Sequence, residues 1–199
     1  MAGKNELLKA LADYRAIVHE LDAQRQLIDL DTRTRDDVKA SEREAAMWER
    51  APRVREIRER AVNAAEQMRA DLQARYRRES AERLQDGGYQ SSLNATASAL
   101  RAGAIRNPAD IEAISETFGN DPVALGMLRP LAAEHGLTIP GSEDNRSKNL
   151  ESLDQVRAGV DTFLDTDHWR LDDWRDYAER ALLGIGSYLD GCDDDGARG

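Results

Sequence analysis

Between Ser41 and Leu84 the chain carries an apolar line one residue wide: Val54, Ile57, Ala61, Ala65, Met68, Leu72 and Tyr76. Its spacings of three, four, four, three, four and four residues form an eleven-residue repeat, which keeps a helical seam straight or slightly right-handed instead of supercoiling it as a heptad does. No second apolar face accompanies the line, and a stripe this thin cannot form a globular core alone. It must therefore be covered, by another helix of this chain or by a second copy.

Composition points the same way. Of 199 residues 33% are charged and 5% aromatic, too little apolar material for one large compact core. The charges alternate in sign, which favours solvated helix faces over a disordered polyampholyte. Formal net charge is -10, and the acidity is concentrated late: residues 141 to 199 hold 7 basic and 15 acidic side chains, whereas residues 51 to 86 hold 9 and 7. An acidic surface disfavours nucleic acid and suits a basic protein surface. Arginine supplies 24 of the 28 basic residues; it suits forked ion pairs along helices, but codon bias is the simpler reading, since a helix accepts either basic residue. With Cys192 as the single cysteine there is no disulfide within the chain and no thiolate metal cage. No apolar run approaches the ~18 residues of a membrane span, and residues 1 to 30 lack the apolar core of a signal peptide; the expected location is the cytoplasm.

The first helix is expected over residues 5 to 30, with Leu7, Leu11, Tyr14, Val18, Leu21 and Ile28 as a coiled-coil seam, widened by Leu8, Ile17, Leu27 and Leu30. Arg25 interrupts that seam, either fixing register or snorkelling outward. Residues 31 to 37, rich in Asp and Thr, are poor helix sequence and read as a turn; without it, residues 5 to 84 would be one rod. Pro52 should kink the second helix or start a new one at Ala51, and Trp48 beside it is either a packing residue or a partner anchor. Arg75, Arg77, Arg78 and Arg83 suit a helix C-terminus. Asp86 and the glycines at 87 and 88 should end the rod, since paired glycines break a helix and permit a left-handed cap.

In the second half, a short helix is expected over Gln90 to Ala104. Asn107-Pro108 and Asp121-Pro122 each place a cap before a proline at the first helical position, and each following stretch closes on glycine, at Gly119 and Gly136. Ile111, Ile114, Phe118, Val123, Leu125, Leu128, Leu131 and Leu137 should form a small core, and Pro130 should bend or shorten the second unit. Ser147 caps a helix with Leu150, Leu153, Val156, Val160 and Leu164. Asp167 caps the last, with Leu171, Trp174, Ala178, Leu182, Ile185 and Leu189, the two forming an antiparallel pair.

Candidate chemistry is sparse. Asp165, Asp167, His168 and Asp172 include metal-binding types, but at these offsets they match helix capping and no common ligand spacing. His19 and His135 fit their helices. Gly184 and Gly186 lack the preceding strand and third glycine of a dinucleotide site, and Cys192 among aspartates lacks a nucleophile's environment. No enzyme, cofactor or metal is expected.

The segment Phe118-Gly-Asn-Asp-Pro-Val-Ala-Leu-Gly-Met-Leu128, behind an N-terminal coiled coil, resembles helical structural proteins of tailed bacteriophages and of prophages of Gram-positive bacteria. The resemblance implies a scaffold-type or virion-assembly role, with a coat or other virion protein as partner. Such scaffolds are often basic at the coat-binding end, and here that end is acidic. The expectation is an all-α protein, with a long N-terminal helical rod or hairpin over residues 1 to 86, a compact helical bundle over 87 to 190 and an acidic flexible tail over 191 to 199. It self-associates through Leu7, Leu11, Tyr14, Val18, Leu21, Ile28, Val54, Ile57, Ala61, Met68 and Leu72, and docks a partner through Trp169, Trp174 and Tyr177. The alternative is a monomeric adaptor or regulatory binding module whose first helix folds back on the second.

Overall fold

The computed structural model describes residues 2–171 and 173–191, which form seven α-helices and one short 3-10 turn, with no strand among them. The helices are α1 (Ala2–Leu30), α2 (Asp36–Gln85), α3 (Gly87–Arg101), α4 (Pro108–Phe118), α5 (Pro122–Ala133), α6 (Arg146–Phe163) and α7 (Trp174–Gly191), with the 3-10 turn at Asp167–Arg170. The tail from Cys192 onward lies outside the described residues. The chain divides into two compact units, one joining Met1–Gln73 to Lys148–Gly199 and one formed by Ala74–Ser147. The boundary expected after residue 86 falls inside the second unit, because the grouping follows which apolar stripes share a core and not sequence order.

In the first unit the turn over residues 31–35 is built by Asp31, whose carboxylate accepts from the Arg33 N–H at 2.8 Å and the Thr34 hydroxyl at 2.6 Å. Those bonds, the Thr34 hydroxyl first, hold its carboxyl below the ordinary range. The seam residues Leu7, Leu11, Tyr14, Val18 and Leu21 are buried together with Val54, Ile57, Ala61, Ala65 and Met68 of α2, Val156 and Val160 of α6, and Ala178, Leu182 and Ile185 of α7. Ile28 and Leu72 are only half-buried. Of the four residues expected to widen the first seam only Ile17 is buried, whereas Leu8, Leu27 and Leu30 are exposed.

Arginine pairs give the register. Asp13, Glu20 and Asp29 of α1 meet Arg60, Arg53 and Arg43 of α2, so α1 and α2 run antiparallel. Arg58 and Arg69 of α2 meet Asp161 and Asp154 of α6 at 2.7 and 2.6 Å, again antiparallel. Arg15 and Asp22 of α1 meet Glu179 and Arg175 of α7 at 3.0 and 2.9 Å, with the same sense.

Pro52 neither ends nor restarts α2, which continues through it. The lost backbone hydrogen bond is offset by packing on both sides, where Ala51 and Val54 are buried. The last helix begins at Trp174, not after Asp167, and the intervening residues include the 3-10 turn that buries Trp169.

The second unit has its own core of Leu93, Leu100, Ile114, Phe118, Leu125, Leu128 and Ile139. The caps are as expected: Asn107 accepts from the Asp110 N–H, and Asp121 from those of Val123 and Ala124. Val123, expected inside, faces out, while Ile111, Leu131 and Leu137 pack around the core half-buried. Pro130 lies within α5 without ending it. The glycines at 87 and 88 form no left-handed cap. They open α3, for which Asp86 is the N-cap, accepting from the Tyr89 N–H at 3.0 Å. Arg129 closes the loop after α5, donating to the carbonyls of Ile139, Gly141 and Ser142 at 3.1, 2.7 and 3.1 Å.

Gly141 has φ +141° and no room for a Cβ beside the Gly119 carbonyl and Leu125, whereas a Cβ at Gly126, inside α5, meets nothing within 4 Å. Gly141→Ala should therefore lower stability by about 1–3 kcal/mol, and Gly126→Ala should raise it by about 0.5–1 kcal/mol. Chemical denaturation of the two variants checks the opposite signs.

Candidate docking site

The most elaborate polar arrangement is buried where α1 meets the connection from α6 to α7. The Tyr14 hydroxyl lies 3.1 Å from His168 Nε2, and His168 Nδ1 lies 2.9 Å from Asp165 Oδ1. The carboxylate fixes the tautomer: Nδ1–H donates to Asp165, and Nε2 accepts from Tyr14. Burial pushes the His168 pKa below its ordinary value, against the opposing pull of Asp165 and Asp167. Burial also pushes the Tyr14 phenol well above its ordinary value. A general acid or nucleophile needs the opposite shift in a phenol; this chain of bonds pins α1 to the connection. Its surroundings are aromatic, with the Tyr177 ring 4.7 Å from that of His168, and Trp169 edge-on to Trp174 at 6.2 Å.

Arg25 closes the same corner. It turns inward, with its guanidinium 4.7 Å over the Trp174 ring, and donates to the Trp169 carbonyl at 2.8 Å. It therefore does not snorkel outward from the seam. Burial lowers its pKa. Of the three residues expected to dock a partner, Trp169 and Trp174 are thus core, 0% and 7% exposed. Only Tyr177 reaches a surface, where it lines a trough between α6 and α7.

Asp172 lies outside the described residues, and Asp165 is engaged by His168 and by the Asp167 N–H. Among the described residues no three His, Cys, Asp or Glu side chains converge. His19 faces Glu179 at 3.7 Å, and His135 lies against Gly103.

Two outward features remain. Trp48 is 57% exposed, with Arg170 6.0 Å over its ring and its indole N–H reaching Glu44 at 3.4 Å. The trough between α6 and α7 encloses about 530 Å³ and is walled by Phe163, Tyr177, Ile185 and Tyr188 over Ala158 and Gly159. Helical periodicity missed it because Gly159, Gly184 and Ala181 contribute no stripe; the run of small residues on both helices was the available signal. Among the described residues no helix is long and apolar enough to cross a membrane.

Below pH 6.5 the unfolded chain takes up protons on this histidine more readily than the folded one, so the stability His168 contributes is complete above that pH and is lost as pH falls. Unfolding midpoints on either side of it should show this slope, and His168→Gln should flatten it. Tyr14→Phe leaves His168 Nε2 without its donor and should cost about 1–3 kcal/mol. Trp174→Ala should cost about 3–5 kcal/mol and lower the melting temperature sharply; an unchanged melting temperature would make Trp174 a surface anchor instead.

No protein-family model, no curated protein and no solved structure matches the chain.

Proposed function

We propose that the chain is a non-enzymatic helical binding module, a monomeric adaptor whose coiled-coil-like α1–α2 hairpin is covered by its own C-terminal helices and which presents their outer faces to a protein partner in the cytoplasm. The observation that carries this reading is the burial of Leu7, Tyr14, Val18, Leu21, Val54, Ile57, Ala61 and Met68 within a single chain. Stripes covered at these residues leave less apolar area to drive self-association. The polar groups best suited to chemistry are likewise engaged, Tyr14 with His168 and His168 with Asp165.

A second reading keeps self-association and the virion-assembly role that the phage resemblance implies, with the host cytoplasm or a virion precursor as its place. It is favoured by Leu27 and Leu30, 70% and 75% exposed at the end of α1, where another copy or a coat protein could pack. Light scattering of the full chain at micromolar concentration separates the two. The binding module stays monomeric, and an assembly protein forms oligomers that Leu27→Ser with Leu30→Ser disperses.

A further inference from the structure

Resting on the binding-module reading, we propose that the trough between α6 and α7 receives one amphipathic helix of a partner protein, with its apolar stripe on Phe163, Tyr177, Ile185 and Tyr188 and with Lys or Arg flanking that stripe at both ends. The bed is shallow where it must be. Gly159 admits Ile185 so closely that a Cβ would sit 3.1 Å from its Cγ1, while a Cβ on Gly184 would meet nothing within 4 Å. Missing side chains let a third helix approach at normal packing distance, and aromatic walls supply the area that holds it. From Gln155 to Phe163 the trough runs about two helical turns, room for an i, i+3, i+4, i+7 stripe.

Charge selects the occupant. Glu151 lies one turn beyond Gln155 at one end, and Asp173 and Asp176 lie just before Tyr177 at the other. Asp173 faces Arg180 at 3.4 Å, and the Asp176 carbonyl accepts from Arg180 Nε at 3.1 Å, whereas the carboxylates of Glu151 and Asp176 face no cation within ion-pair distance among the described residues. Residues 148 to 191 hold 10 acidic and 5 basic side chains. A second copy of this chain would bring the same acidic helices to the rim, and residues 192 to 199, with three aspartates, would bring like charge and almost no apolar surface. A basic helix meets neither objection. Arg180, which lines the trough one turn after Tyr177, further requires that the partner be uncharged or acidic opposite it.

The test uses the full chain and two fluorescein-labelled synthetic helices of about 18 residues, one of Leu and Lys in amphipathic order and the other with Glu in place of Lys, followed by fluorescence anisotropy. The Lys helix should bind at least about tenfold more tightly than the Glu helix, with the gap closing as salt rises. Gly184→Trp, which fills the trough from an open position, should weaken it at least about tenfold without lowering the melting temperature. Should that variant unfold, Glu151→Lys with Asp176→Lys at exposed sites provides the same reading through the charge term. Equal binding of the two helices, or binding that neither variant changes, overturns the proposal. Binding lost in Trp48→Ala but kept in Gly184→Trp overturns the trough while leaving the binding-module reading in place. Self-association of the full chain that Gly184→Trp abolishes overturns both and makes a second copy the occupant.

Discussion

A helix whose apolar stripe is one residue wide is stable in water only while something covers that stripe. For α2 the cover comes from both ends of the chain: α1 returns along it after the Asp31 turn, and α6 and α7 close over it from residue 148 onward. Residues 74 to 147 intervene in sequence and carry a core of their own. Closing a chain across so long an insertion is less costly than it looks, since loop-closure entropy grows only with the logarithm of length. An insertion already folded on its own core fixes the distance between its ends and reduces that cost further. The apolar term is the dominant one here; each exposed ion pair contributes only about 0–1 kcal/mol.

The arginines act mainly on geometry. Thin stripes rich in alanine, such as Ala61, Ala64 and Ala65, specify register poorly, because sliding by one turn replaces one small side chain with another. Arg53 on Glu20, Arg60 on Asp13, Arg58 on Asp161 and Arg69 on Asp154 each oppose such a slide from the flank. Arg25 does so from inside, where its guanidinium lies between Met47, the Trp169 carbonyl and the Trp174 ring. An arginine there is tied to three elements at once, and any shift of α1 along α2 would strand it.

What could be read in the residue order was whatever is decided within one turn of helix. Asn107, Asp121 and the prolines after them act on neighbouring N–H groups, so their caps appear where their spacing puts them. The stripe of α2 and the turn at Asp31 belong to the same class. The misreadings share one cause, a local preference outweighed by distant packing. Pro52 offered the start of a new helix at Ala51, but Ala51 and Val54 are buried on either side and α2 runs on through it. Gly87 and Gly88 permit a left-handed cap, but Asp86 already caps the next helix, so they are absorbed into its first turn. Leu27 and Leu30 widen the seam in sequence, yet no helix of the unit covers them and both are exposed.

The candidate site was the least legible part, for the same reason in stronger form. Tyr14 and His168 are 154 residues apart, and nothing in either neighbourhood announces the other. His168 read as the residue after a capping aspartate, and Trp169 and Trp174 as aromatic anchors ringed by charge. In the fold the ring of charge is turned inside out. Asp165 and Arg25 point inward to satisfy buried partners, and the tryptophans fill the space between them. Tyr14 and Arg25 of α1 thereby tie the corner at His168 and Trp169, from which α6 and α7 diverge. Gly159 against Ile185 holds them close at mid-length, while Phe163 and Tyr177 wedge them near the corner, ring to ring at 5.7 Å. An apolar trough follows from a fixed corner, a close approach and small residues between them, and no residue in it need be set aside from packing for the trough to exist.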